Sequence, residues 1–203
     1  MSYSSDLTKE RILECAKEEF LSKGFAGANI REIATNAKAT TGALYNHFKN
    51  KEVLFDELVG KVAEGLFELY KAEHEKSNCM TSYASQSAQE LFTNAIEVIL
   101  EYLYTHFDEV SLLFFHSIGT KYESYKDGLI DIEETTSLDM LSREGFTQND
   151  SDKFFVHVIA SSGVNNMLEA IHHNLTKSEA KAYMEKVQTF HYAGWLKILG
   201  RES

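Results

Sequence analysis

The sequence predicts an all-α protein, and three observations carry that expectation. The 203-residue chain contains no proline, where an average usage of ~5% would place about ten. Proline is excluded from helix interiors and common in turns and long loops, so its absence points to helices joined by short connections. Apolar residues recur at helical spacing, and no stretch carries a defensible strand pattern. A hydrophobic content of 43% supplies a substantial core and excludes a disordered or low-complexity chain.

About nine helices are expected. The first covers about residues 7–23, with Ile12, Leu13, Ala16, Phe20 and Leu21 on one face; Gly24 ends it and Phe25 can fold back. The second runs from about Ile30 to Ala37, capped by Asn29 with Glu32 three residues on as a capping box. Thr40 or Thr41 caps a third helix that ends near Phe48, with Leu44 and Phe48 on its buried side. Asn50 caps a long fourth helix over about 51–76, whose 26 residues would span roughly 39 Å. Five more are expected at about 85–106, 109–118 (opened by Asp108), 122–142, 151–173 and 177–199. Thr176 and Glu179 form a capping box for the last, with Leu175 as staple.

Charge is uneven. The whole chain carries a net of −11, which taken alone argues against a nucleic-acid partner. Residues 1–51 hold 8 Lys+Arg and 6 Asp+Glu, a net of +2, whereas residues 52–203 hold 12 and 25, a net of −13. This division suggests two domains, 1–51 and 52–203. The N-terminus has no apolar core of the secretory type. Apolar runs such as Leu112-Leu113-Phe114-Phe115 are far shorter than the ~20 residues of a membrane span. Cys15 and Cys79 form neither a disulfide framework nor a metal motif. A soluble, cytoplasmic protein with no membrane partner is expected.

Residues 29–51 carry the functional signal: a short amphipathic helix, a tight break and a second short helix, the outline of a helix-turn-helix. On the second helix Thr41, Gly42, Tyr45 and Asn46 are small or hydrogen-bonding, which suits close approach to a duplex. Tyr45 and His47 can donate to phosphate, and Lys49 and Lys51 add cations. Thr41, Ala43 and Asn46 are the side chains able to read base edges.

The stretch Ile12-Leu13, Ala16, Phe20, Gly24-Phe25, Ile33-Ala34, then Thr40-x-Gly42-x-Leu44-Tyr45-x-His47-Phe48-x-x-Lys51-Glu52-x-Leu54, resembles the DNA-binding domain of the TetR family of transcriptional regulators. The resemblance covers about residues 6–66. It implies that Thr40 to Phe48 form the recognition helix in the major groove, that Tyr45, His47 and Lys51 contact phosphates, and that Ile30 and Arg31 lie near the backbone. Asn29 stands where the family often has Thr or Ser, and Asn46 where an aromatic residue is common, which bears on operator choice.

The resemblance also implies a C-terminal domain for an effector and for dimerisation, the dimer being built from the last two helices. Two patterns in the residues agree. Tyr183, Val187, Phe190, Gly194 and Ile198 share a face of the final helix, and Phe155, Ile159 and Ser162 share one of the penultimate helix. Aromatics cluster in the middle helices: Phe92, Tyr102, Phe114, Phe115, Tyr122 and Tyr125. With Met140, Phe154, His116 and Asn166 they are candidates for an apolar effector cavity, although any one of them taken singly fits ordinary core better. Glu169-x-x-His172 resembles half of a di-iron helix motif, but its second half is missing, so neither metal nor cofactor is expected. No nucleophile, base and orienting group stand at recognisable spacing, so an enzyme is not expected.

The function expected is that of a homodimeric, ligand-responsive regulator of transcription: a repressor released from double-stranded operator DNA by a small hydrophobic or aromatic effector. The alternative is an all-helical small-molecule or metal-binding protein that does not bind DNA.

Overall fold

The computed structural model describes residues 3–79, 82, 85–146 and 149–201. Among the described residues there are nine α-helices: α1 (Tyr3–Gly27), α2 (Ile30–Asn36), α3 (Thr41–His47), α4 (Lys51–Glu75), α5 (Gln86–Thr105), α6 (Phe107–Phe115), α7 (Tyr125–Arg143), α8 (Asp150–His172) and α9 (Lys177–Ile198). A 3-10 turn, Lys76–Cys79, follows α4. The all-α expectation is met. The chain forms two compact units, Met1–Gly65 with His106–Tyr125, and Leu66–Thr105 with Lys126–Ser203.

The first unit is built on the apolar stripe of α1. Ile12, Ala16 and Phe20 are fully buried and pack with Leu44, Phe48, Leu54 and Phe55. Gly24 breaks α1 at φ 68°, a left-handed value costly for residues with a Cβ. The chain then folds Phe25 back, so that the Phe20, Phe25 and Phe55 rings meet with centroids 5.1–6.0 Å apart. Helix α6 completes this core through Leu112, and the Phe25 N–H donates to the His116 carbonyl at 2.8 Å. Burying each large phenyl ring contributes about 2–3 kcal/mol.

Helix α2 keeps its expected Asn29 cap but not the expected box. Asn29 accepts from the Arg31 N–H at 2.9 Å, but Glu32 does not close a box. The Asn29 N–H is already taken by the buried carboxylate of Glu19, at 3.0 Å. Lys23 donates to that carboxylate at 2.9 Å and also pairs with Glu32. A carboxylate ten residues upstream thus replaces the local reciprocal bond. Burial pushes the Glu19 carboxyl up, but the Asn29 N–H and the Lys23 ammonium outweigh it and hold it below its ordinary value.

Several boundaries also move. Helix α6 starts at Phe107, with His106 rather than Asp108 at the cap position, and ends before the segment expected to finish it. Gly119 turns the chain at φ 89°, and Thr120 and Tyr122 close successive turns. Helix α7 therefore starts at Tyr125, not at Tyr122.

In the second unit α9 lies antiparallel along α5. Lys177 pairs with Glu101 and Lys181 with Glu97, and Gln188 donates to Thr93 at 3.1 Å. These rungs step along each helix about one or two turns at a time, which sets the register. Trp195, Met140, Leu141 and Val156 form a buried cluster. The expected box of Thr176 and Glu179 is present. A second box, Asn149 with Asp152, opens α8 one residue earlier than expected.

Glu19→Ala removes the acceptor from Asn29 and Lys23 and is expected to lower the unfolding free energy by about 2 kcal/mol, measured by urea denaturation. Because the folded-state value of this carboxyl lies below its unfolded one, its contribution is present above the ordinary carboxylate range. It is lost as pH falls through the folded value. Glu19→Gln should therefore lose less stability in acid than the unsubstituted chain.

Candidate functional site

Helices α2 and α3 are joined by a break at Lys38. Its φ of 52° is left-handed, a conformation that usually falls to glycine or asparagine. Two bonds close the end of α2 around it: Ala39 N–H to Ala34 O at 2.9 Å and Lys38 N–H to Thr35 O at 3.0 Å. This is the Schellman pattern. Thr40 then caps α3, accepting from the Ala43 N–H at 3.0 Å. Asn50 caps α4 through the Val53 N–H at 2.8 Å. Ile33, Ala34, Leu44 and Phe48 are buried beneath.

The opposite side of α3 is open. Tyr45 is 49% exposed, Gly42 and Asn46 are exposed, and Thr41, Ala43 and His47 are half-buried. Ile30 is half-buried, and Arg31 and Lys49 are exposed. The lysines of α1 differ from the cations around the helix-turn-helix. Lys9, Lys17 and Lys23 are neutralised by Glu57, by Asp108 with Glu109, and by Glu19 with Glu32. Arg31, Lys38 and Lys49, around the helix-turn-helix, have no ion-pair partner among the described residues. Lys51 is placed differently from a free phosphate ligand. Its ammonium donates to the Ala28 carbonyl at 3.0 Å and sits 4.7 Å from the Phe25 ring centroid, so it ties the start of α4 to the chain that follows α1.

The second unit contains a cavity of about 200 Å³ lined from five helices. Tyr70 and His74 come from α4, Phe92 and Ile99 from α5, Glu133 and Met140 from α7, Ile159, Gly163 and Met167 from α8, and Val187, His191 and Trp195 from α9. Most of this wall is apolar. Among its polar members is Glu133, whose Oε2 accepts from the Tyr70 hydroxyl at 2.6 Å and from His74 Nε2 at 2.7 Å. His74 Nδ1 stands 2.9 Å from the Tyr70 carbonyl. Burial opposes charge on both partners. The ion pair overcomes it, holding Glu133 below the ordinary carboxylate range and raising His74 above the ordinary imidazole range. Burial lowers His191.

Of the ten residues read as effector candidates, Phe92 and Met140 stand on this cavity. Phe114, Phe115, His116, Tyr122 and Tyr125 belong to the first unit. There Tyr122 bonds Asp56, and the Tyr125 hydroxyl donates to the Ala63 carbonyl at 2.6 Å. Tyr102 is half-buried on α5, and Phe154 is 69% exposed. Asn166 accepts from the Tyr183 hydroxyl at 3.2 Å. The dimer candidates divide too. Ile159 and Val187 line the cavity, Ser162 and Tyr183 are half-buried, and Phe155, Gly194, Phe190 and Ile198 are exposed. Glu133, Tyr70 and His74 escaped sequence reasoning. Their only signal was an aromatic and a histidine four apart on α4, which is common on any helix. Glu169, His172 and His173 stand together at the exposed end of α8, with His173 Nε2 3.0 Å from Glu169.

A short capped pair of helices over a shared core, with its second helix open to solvent, defines a helix-turn-helix protein. Residues 12–58 match the family model described as bacterial regulatory proteins, tetR family. It is 35% identical over 99 residues to the probable HTH-type transcriptional regulator YttP of Bacillus subtilis (strain 168), covering 49% of this chain and 45% of that one. It is 37% identical over 60 residues to the HTH-type transcriptional repressor KstR2 of Mycobacterium tuberculosis (strain CDC 1551 / Oshkosh), covering 30% of each. The matched segments thus span less than half of these two relatives. The crystal structure of the transcriptional regulator FadR from Bacillus subtilis, in complex with stearoyl-CoA, superposes with a TM-score of 0.58 at 16% identity, covering 91% of this chain and 98% of that one. At that identity the likeness concerns the fold. Regulators of this family are not an enzyme class, and among the described residues no helix is long and apolar enough to cross a membrane.

The His74 and Glu133 shifts set a pH window. His74 contributes fully below the ordinary imidazole range, and its contribution is lost as pH rises through its raised value. Glu133 contributes above the ordinary carboxylate range, and its contribution is lost as pH falls through its lowered value. His74→Ala leaves the carboxylate without its counter-charge. It should cost about 3 kcal/mol near neutral pH and remove the alkaline loss, as read by urea denaturation across pH.

Proposed function

We propose that the chain is a ligand-responsive, DNA-binding regulator of transcription, a repressor that leaves its operator when an effector binds. Residues 1–51 meet the DNA, and residues 52–203 hold the effector and the dimer surface. The observation that carries this reading is the distribution of cations around the exposed face of α3. The lysines of α1 are paired, while Arg31, Lys38 and Lys49 are left to a partner. A polyanion satisfies them, and phosphate contacts of this kind supply most non-specific affinity. Within the recognition helix Tyr45 and His47 serve the backbone, with Thr40 as its cap and Gly42 allowing close approach. Thr41, Ala43 and Asn46 face base edges, and Ile30, Arg31 and Lys51 flank them.

The effector site is the cavity of the second unit. Tyr70 and His74 on its wall belong to α4, the helix that starts at Lys51 beside the recognition helix. An effector that prefers one placement of α4 shifts the population of the DNA-competent state. The stearoyl-CoA held by FadR supports a ligand site within this helical arrangement. A second copy of this chain covers the outer faces of α8 and α9. Phe155 is 41% and Phe190 77% exposed, and burying such groups against themselves in a symmetric dimer relieves the apolar exposure. The protein acts in the cytoplasm and catalyses no reaction.

Selection on random duplexes, followed by mobility shift at two salt concentrations, tests the reading. A palindromic site and steep weakening with salt are expected; no selected site and no salt effect would overturn it. Lys49→Ala should weaken cognate and scrambled DNA alike and lower the salt slope by about 1. Asn46→Ala should relax base preference at one position, by about 1–3 kcal/mol of discrimination. Equal loss on both DNAs would remove Asn46 from the reading set. Phe190→Asp, at a site that contributes little to the folded monomer, should convert dimer to monomer in light scattering with the helical circular dichroism retained.

A further inference from the structure

The carboxylate of Glu133 on the cavity wall is half used. Both hydrogen bonds to Glu133 end on Oε2. Oε1 accepts none among the described residues, and the side chain keeps 30% of its surface accessible on the cavity wall. A Cβ added to Gly163 would stand 3.9 Å from Oε1, so the glycine leaves this oxygen uncovered from the side of α8. The neighbouring charges are settled: Glu73 accepts from Lys76 at 2.6 Å, and Glu133 is paired with His74. What remains open towards the apolar space is an accessible acceptor, and a ligand that covers it without donating to it leaves it unsatisfied at a cost.

We propose that Glu133 Oε1 is the polar anchor of the effector, and that the effector is an apolar molecule whose head group donates a hydrogen bond, as a hydroxyl or a protonated amine does. This rests on the cavity being the effector site. A hydroxyl or ammonium head supplies the missing donor, and its tail lies against Phe92, Met167 and Trp195. A carboxylate head brings only acceptors to an acceptor and repels Glu133. His191, on the same wall, can serve a hydroxyl as a second partner.

Trp195 is the only tryptophan of the chain and stands on the cavity wall, so its fluorescence reports occupancy. Decanol, decylamine and decanoate, matched in length, are titrated into the full chain near neutral pH. Decanol and decylamine are expected to bind about tenfold or more tighter than decanoate. In Glu133→Gln, checked for folding by circular dichroism, the gap between decylamine and decanoate should close to within about threefold. Gly163→Val, which crowds Oε1 from α8, carries the same expectation should the first variant not fold. Decanoate binding as tightly as the other two, or an unchanged preference in both variants, overturns the inference while leaving the cavity a ligand site. No fluorescence response to any of the three also overturns it, and release of the selected operator by other small molecules then decides separately whether the chain is effector-responsive.

Discussion

The carboxylate of Glu19 is the contact on which the arrangement of the first unit depends. It is buried, yet it remains ionised because two donors reach it, the Asn29 N–H and the Lys23 ammonium. By holding Asn29 it fixes the residue that caps α2, and with it the direction in which α2 leaves the α1 core. The Schellman turn at Lys38 and the Thr40 cap then set α3 at a fixed offset from α2. Of the side chains on α3, Leu44 anchors it in the core behind, and the outward ones contribute little to holding it in place. Its placement is inherited from contacts made behind it, and that leaves its outer residues free to vary with what they meet.

The same economy appears in the second unit, in a different form. The helices enclosing the cavity are packed by aliphatic and aromatic side chains, with one ion pair inserted between α4 and α7. An ion pair in such a setting adds little net stability over an apolar substitute, but it penalises any arrangement that separates its members. Glu133 and His74 therefore specify how α4 and α7 meet more than they strengthen the meeting. Tyr70, bonded to the same oxygen, adds a second condition on the same geometry.

Much of the fold was legible in the sequence because it depends on short-range chemistry. The stripe of Ile12, Ala16 and Phe20, the caps at Thr40, Asn50 and Thr176, and the glycine break at Gly24 all act within a few residues, and each appears where expected. The misreadings share one cause, which is competition from a distance. Glu32 could not cap Asn29 because Glu19 had taken the donor. Tyr122 could not start α7 because its segment turns over Gly119. Phe114 and Tyr125 look like cavity residues by composition, but which of two cores an aromatic joins is decided by tertiary pairing, which helical periodicity does not encode. Glu133 was invisible for the same reason: on α7 it reads as one more solvated charge in an acidic chain. The recognition segment was legible because its motif is local, whereas the cavity is assembled from five helices and has no motif.

The left-handed backbone at Lys38 has a consequence beyond geometry. A chain selected for stability alone would place glycine or asparagine there, since a side chain at positive φ is sterically opposed. Lysine keeps the turn and adds a positive charge at the corner of the helix-turn-helix, at some expense in conformational energy. In the language of energy landscapes this is local frustration, a residue at odds with its own backbone inside a domain whose other choices agree. Such a conflict marks a place where the segment is kept for what it meets rather than for how it folds.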